Sequence, residues 1–299
     1  MKTVLIDTDP GTDDALALIV ALNSPEIDVA SVTTVGGNAR LADTTRNALR
    51  ILAYLDSKTP VSSGASKPLH GRFDYAYSFH GPKGLGVRLP RPHTSRIRSL
   101  AAEHIVNTAS AHRGNLMLIA LGPLTNIAIA MRREHKLVRW ISEIVVMGGA
   151  VSVPGNVTPW AEFNTYNDPE AAQEVFASGV PTKLICLDVT MKLAFARDEA
   201  PWVPGNSKSA LLSKSVLGNW FKAHPASGLY HLHDPLAIAV AVRPDLLEYR
   251  SVIANVETQY SNRRGRITTT NNDSPFSIAV DINVERAREL IANRLRARG

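Results

Sequence analysis

The chain has 299 residues, 44% hydrophobic and 20% charged, a globular composition that excludes a disordered or fibrous protein. Its lone cysteine, Cys186, excludes an intrachain disulfide and favours a reducing compartment. A net charge of +6 would admit nucleic-acid binding, but the arginine clusters at Arg88–Arg98, Arg132–Arg133, Arg263–Arg266 and Arg294–Arg298 carry no interleaved aromatics, so we read a solubilising exterior and no nucleic-acid partner.

Met1-Lys2-Thr3 passes at once into Val4-Leu5-Ile6 and an acidic run, which leaves no room for a secretory leader. No apolar stretch is long enough to span a bilayer, so a cytoplasmic protein without a membrane partner is expected. Lys2–Ile6 predicts a buried strand, Gly11-Thr12 a turn and Asp14–Leu22 a helix. Val29–Val35 predicts a second strand ending at Gly36-Gly37-Asn38, and Leu41–Leu55 has helical spacing. Ser62–Pro92, rich in Gly, Pro and His, reads as a long loop. Leu116–Leu121 is a strand ending at Gly122-Pro123, followed by a helix over Asn126–Arg132. Glu143–Met147 is a strand ending at Gly148-Gly149, and Val153–Asp168 is a second loop. Leu184–Leu187 reads as a strand ending at Asp188, and Leu236–Val242 as an apolar helix. Glu257–Asn272 reads as strand, turn at Arg264-Gly265 and strand, an antiparallel edge, and Glu285–Arg298 as a terminal amphipathic helix.

This alternation predicts an α/β fold over a single domain, residues 1–299. It is an open, mostly parallel sheet flanked by helices, a Rossmann-like core with a small antiparallel extension. In such sheets ligands sit beyond the carboxyl ends of the strands, which would gather Asp9, Asn38, Leu121-Gly122 and Gly148-Gly149 at one edge.

Chemistry concentrates in three places. Positions 7 to 14 read Asp-Thr-Asp-Pro-Gly-Thr-Asp-Asp, four carboxylates with no cation among them. Turn and cap chemistry explains one or two of these; four repel one another unless a hard divalent cation such as Ca²⁺ or Mg²⁺ binds. His231-Leu232-His233-Asp234-Pro235 offers a carboxylate and a proton donor in one turn, although Asp234 alone reads as an N-cap and His233 as a buried structural histidine. Asn156, Glu162, Asn164 and Asn167-Asp168 suit the recognition of vicinal hydroxyls, against the plainer reading of turn residues; Asp168 caps the helix that follows.

Together these motifs resemble the inosine–uridine-preferring nucleoside hydrolase family nearly end to end. The resemblance is carried by Asp7–Ala15 (DTDPGTDDA), Thr33–Asn38 (TTVGGN), Phe79–Gly86 (FHGPKGLG), Gly122–Ala128 (GPLTNIA), Val146–Ala150 (VMGGA), Pro154–Asp168 (PGNVTPWAEFNTYND) and His233–Ala237 (HDPLA). It implies hydrolysis of the N-glycosidic bond of ribonucleosides with one Ca²⁺ per subunit, in a homodimer or homotetramer. Asp9 would be a calcium ligand and the general base for the attacking water. Asp14, Asp234 and the Leu121 carbonyl would complete the protein ligands. Asp13 would bind the ribose 2′-hydroxyl, Asn164 the ribose hydroxyls, and Asn156 and Glu162 the 5′-hydroxyl. Asn38 and Met147 would line the sugar pocket, and Asp7 would brace the loop. His233 is the candidate acid for the departing base and His80 a contact to it. Lys83 departs from the acidic residue common in the family, which bears on the placement of its flap. Trp220–Tyr230 should face the base, with His224, Tyr230 and His231 as candidate contacts.

Two other functions fit parts of the pattern. A haloacid dehalogenase-type phosphatase would use Asp7 as nucleophile with Mg²⁺, but leaves Asp13-Asp14, the Asn/Glu loop and His233-Asp234 without a role. A non-catalytic nucleoside or ribose sensor would need no base for water. Purine against pyrimidine preference stays open in the sequence.

Overall fold

A computed structural model describes residues 1–91, 100–199 and 205–297. Pro92, Arg96, Arg98 and Arg298 of the stretches above lie outside the described residues. Eleven strands are described: β1 (Lys2–Thr8), β2 (Ile27–Thr34), β3 (Val61–Ser63), β4 (Leu116–Ala120), β5 (Ile141–Met147), β6 (Thr182–Ile185), β7 (Ala194–Ala196), β8 (Leu229–His231), β9 (Leu247–Val256), β10 (Ile267–Asn271) and β11 (Phe276–Ile282). Nine of them form one sheet in the order β10-β9-β11-β6-β5-β4-β1-β2-β3, and β7 and β8 pair separately. From β3 to β11 the pairings are parallel; β9 and β10 add the antiparallel edge.

The central strands read as continuous apolar runs because helices cover both faces. Alternation then sorts the side chains. Val4 and Ile6 enter one core with Met117, Ile119, Val145 and Met147, whereas Leu5 enters the other with Leu116, Leu118, Ile144 and Val146. The first core is covered by the helices Thr12–Leu22, Lys208–Ala223, His233–Val242 and Val284–Arg296, the second by Ala101–Ala111, Thr125–Arg133 and Pro169–Phe176. Helix Thr12–Leu22 is buried from Thr12 to Ala21 and packs on His233–Val242, Lys208–Ala223 and Val284–Arg296. At its end Asn23 Nδ2 donates to the Arg294 carbonyl at 2.7 Å. Among the described residues no helix is long and apolar enough to cross a membrane.

Strand order fixes where a ligand can sit. After β1 the chain runs outward through β2 and β3, then returns to place β4 on the other side of β1. The reversal between β1 and β4 is the topological switch point of a doubly wound sheet, and the crevice opens beyond their carboxyl ends. Asp9 follows β1 and Leu121 follows β4.

Several expectations shift. Leu187 and Asp188 are not strand but a helical turn, Leu187–Thr190; Asp188 accepts from the amides of Val151 and Ser152 at 3.0 and 2.7 Å, pairing that a strand end does not offer. Glu257 is past the end of β9, so the first strand of the antiparallel pair lies earlier than expected, while the turn at Arg264-Gly265 holds. The stretch from Ser62 is not all loop: it ends β3 and contains a short helix, Tyr77–His80, then a single 3₁₀ turn at Pro82–Gly84. Lys83 there has φ of 63°, a left-handed conformation that a non-glycine residue seldom adopts.

Candidate active site

The floor of the crevice is built by β1 and the helix start behind it. Asp7 Oδ1 accepts from Thr33 Oγ1 on β2 and from Asn126 Nδ2 (2.8 Å), so Asp7 ties the first two strands to the start of helix Thr125–Arg133. Asp9 Oδ2 accepts the Asn38 amide at 2.6 Å, while its Oδ1 is buried without a partner. Only glycine fits beside it: a Cβ on Gly37 would lie 2.0 Å from Asp9 Oδ2, and one on Gly122 2.6 Å from Oδ1. Asp14 closes a capping box on the Gly11 amide at 2.8 Å and also accepts from Thr8 Oγ1 and Asn38 Nδ2. Asp13 Oδ1 is buried and has no hydrogen-bond partner. Asp234 is in the first turn of its helix and makes no cap; Leu232 occupies the N-cap position.

These carboxylates crowd together. Ligand oxygens of Asp13, Asp14 and Asp234 lie within 4.8 Å of one another, all buried. Burial, then the charges of Asp14 and Asp13, hold Asp9 well above the ordinary carboxylate range. Burial and the Asp14 charge push Asp13 up to about 8. Burial and the charges of Asp13, Asp14 and Asp9 raise Asp234. Asp7 is pushed up to about 7 by burial, against its bonds from Thr33 and Asn126. Desolvated, mutually repelling carboxylates with orphaned oxygens are a donor set for a hard divalent cation, and the residues present fit one. The geometric triplet contains Asp13, and Asp9 borders it without belonging to it.

Above this floor is a cleft of about 510 Å³. Its inner part is bordered by Asp13, Asn38, Leu121, Met147, Glu162, Asn164 and Asp234, its outer part by Tyr75, Ser78, Phe79, His80, Met191, His231 and His233. The side chains expected to touch the sugar, and His80, His231 and His233 of those expected at the base, therefore border one cavity, Asn156 included. Some of them also serve the scaffold. Glu162 is the N-cap of a short helix, Phe163–Asn167, and accepts from the amides of Gly149, Asn164 and Thr165. Asn156 Oδ1 accepts the Phe163 amide at 2.9 Å. Asn164 Nδ2 donates to the Leu121 carbonyl at 2.8 Å. Asp168 does cap the next helix, accepting the Ala171 amide at 3.1 Å.

Of the three histidines that border the cleft, His80 and His233 are the most deeply buried, and burial favours their neutral form. Burial pushes His80 down to about 3, and the Thr12 amide donates to its Nδ1 at 3.1 Å, which leaves the ring proton on Nε2. Burial likewise pushes His233 to about 3; its Nδ1 lies 2.8 Å from Thr190 Oγ1, and its ring stacks on His231 at 5.7 Å. The segment Trp220–Tyr230 does not border the cleft. Trp220, His224 and Tyr230 form an aromatic layer behind Phe79, 5.3, 5.9 and 6.5 Å from its ring, because Phe79 itself fills the space they would need. Sequence reasoning missed Thr8, Thr12, Asn126 and Thr190, which orient the named residues. Asn126 could have been found, since it lies inside the quoted motif Gly122–Ala128.

Residues 4–289 match the profile of the family described as "Inosine-uridine preferring nucleoside hydrolase". The chain is 39% identical to uridine nucleosidase 1 of Arabidopsis thaliana over 269 residues, 86% of this chain and 79% of that protein. It is 36% identical to the pyrimidine-specific ribonucleoside hydrolase RihA of Escherichia coli over 306 residues, 98% of each. A solved plant nucleoside hydrolase, PpNRh1, superposes with a TM-score of 0.94 at 31% identity, over 99% of both chains. With its carboxylates gathered at the switch point, the chain belongs to the inosine-uridine preferring nucleoside hydrolase family and is an enzyme that hydrolyses ribonucleosides.

Proposed function

We propose a calcium-dependent ribohydrolase that acts on pyrimidine nucleosides, uridine first, through Asp9 as general base. The observation that carries this is the unpartnered, buried Oδ1 of Asp9 beside three converging carboxylates at the floor of a nucleoside-sized cleft. The pyrimidine preference rests on the names of the Arabidopsis and Escherichia coli relatives. A Ca²⁺ held by Asp9, Asp14, Asp234 and the Leu121 carbonyl would neutralise the repulsion, polarise the ribose hydroxyls and make water a readier proton source.

The chain's own groups do the rest. The Asn38 amide fixes Asp9 Oδ2, so Oδ1 is the oxygen free to take the proton of the attacking water. Asp13 and Asn164 hold the ribose hydroxyls, Asn38 and Met147 line the sugar, and Asn156 offers its free Nδ2 toward the 5′-hydroxyl beside Glu162. As the glycosidic bond lengthens, positive charge grows on the ribose above Asp13 and Asp234, which stabilise it. Neutral His233 acts as a hydrogen-bond donor to the departing base, and a base with a carbonyl next to its glycosidic nitrogen, as uracil has, carries the developing negative charge well. His80 Nε2–H is a second donor on that side. Asp7 is a brace held at Oδ1 by Thr33 and Asn126, and an aspartyl-nucleophile phosphatase would leave Asp13, Asp234 and the Asn and Glu side chains of the cleft without a role. We take the chain as a single catalytic domain, cytoplasmic, assembling as a homodimer or homotetramer.

A reducing-sugar assay over uridine, cytidine, inosine, adenosine and guanosine, with and without chelator, tests the reading. Uridine should be cleaved fastest, and chelation should stop the reaction until Ca²⁺ is restored. No ribose from any nucleoside would sink the assignment, and chelator-insensitive turnover would sink the calcium part.

A further inference from the structure

The base end of the cleft is walled by the flap that carries Ser78, Phe79 and His80 and, opposite, by β8 with His231. Between helix Lys208–Ala223 and β8 the chain makes a turn, residues 224–228. Its carbonyls, like those of the helix end, have no donors within the helix. One side chain supplies them. Arg197, just past β7, donates through Nη1 to the Phe221 carbonyl at 3.1 Å. Its Nη2 serves the carbonyls of His224, Pro225 and Ser227 at 2.8, 3.0 and 2.8 Å. The guanidinium also lies over the Phe221 ring, 5.1 Å from its centroid, and the Arg197 amide donates to the Gly228 carbonyl at 2.9 Å. A cation at a helix carboxyl end also complements the helix dipole.

This turn in turn holds the flap. His224 Nε2 lies 3.0 Å from the Ser78 carbonyl, and its ring stacks on Trp220 at 4.3 Å. Asn219, on the same helix, donates to the Gly86 carbonyl at 3.0 Å. We propose that Arg197 is a positioning residue for the nucleobase end of the cleft: it fixes the turn after the helix and, through His224, the Ser78–His80 flap, without touching substrate. The inference rests on the reading above, with ribose innermost and the base at the flap.

The test compares uridine kcat/KM with the inhibition constant of free ribose, in the calcium-supplemented full chain. Arg197→Ala should lower uridine kcat/KM at least tenfold, mainly through KM, and leave ribose inhibition within twofold. Arg197→Lys keeps a cation over Phe221 but loses the planar fork, and should lose about threefold, again with ribose unaffected. If Arg197→Ala does not fold, the lysine variant carries the same split. Unchanged uridine kinetics would overturn the inference, as would a parallel weakening of ribose, which marks a general structural role. Absence of ribose release by the unsubstituted chain would instead overturn the reading on which it rests.

Discussion

Asp9 and Asp7 are two residues apart, both buried, and stand in contrasting situations. Each has one orphaned oxygen, but Asp9 sits among carboxylates whose charges raise it, whereas Asp7 is held at its other oxygen by two side chains, Thr33 and Asn126. Asp9→Asn should therefore lower kcat by about 10²–10⁴-fold with the fold intact, measured as ribose release beside a circular dichroism spectrum. Asp7→Asn, which retains an acceptor for Thr33, should lower activity less than tenfold; the reverse order of severity would point to Asp7 as nucleophile. The aspartates were legible in the sequence because four of them share one turn. Thr12, which fixes the His80 tautomer, was not, since its partner is distant in the chain and its residue type is ordinary in a first helical turn.

At the scale of elements, the fit of strand ends to one another is tight. Gly37 lies in the turn after β2 and Gly122 in the turn after β4, and both meet Asp9. Gly37→Ala would place a methyl group where the carboxylate lies, so kcat/KM should fall at least tenfold while far-ultraviolet dichroism is unchanged; wild-type kinetics would show that the turn yields instead. Alternation and glycine-terminated strands made the parallel core readable. The short helix Tyr77–His80 and the turn Leu187–Thr190 were not, because each is a single turn held by tertiary bonds rather than by its own periodicity. The arginine clusters have partners that their own stretch of sequence does not show. No aromatic residue stands between Arg263 and Arg266, yet both guanidinia lie over Trp160, 5.4 and 4.7 Å from its ring. That ring comes from the Val153–Asp168 loop, a contact no local window contains.

For the whole molecule, the buried carboxylates set how stability depends on pH. Asp7 and Asp13 have folded values of about 7 and about 8 against 3.8 for a free carboxyl, so without metal the folded state holds protons that the unfolded chain has released. That contribution is complete below about pH 4 and is lost as pH rises through about 7 and 8. His80 and His233 have the opposite sign, being neutral when folded, but their effect falls mainly below about pH 6.5. Chelated protein should thus melt at a lower temperature at pH 8.5 than at pH 7, and Ca²⁺ should reduce the difference, because a cation beside Asp13 favours its ionised form. Equal slopes in calorimetry with and without Ca²⁺ would contradict a cation at this site.

The helix Thr12–Leu22 carries a further consequence for biosynthesis. Apolar on nearly every side, it is synthesised well before the helices that enclose it, which begin at Lys208, His233 and Val284. Asp234, which faces Asp13 and Asp14, is also made late. Until those helices follow, the nascent chain carries an uncovered greasy segment beside an incomplete acidic nest. Its maturation in a cell depends on holding that segment out of aggregation until the helices from Lys208 to Arg296 have been made.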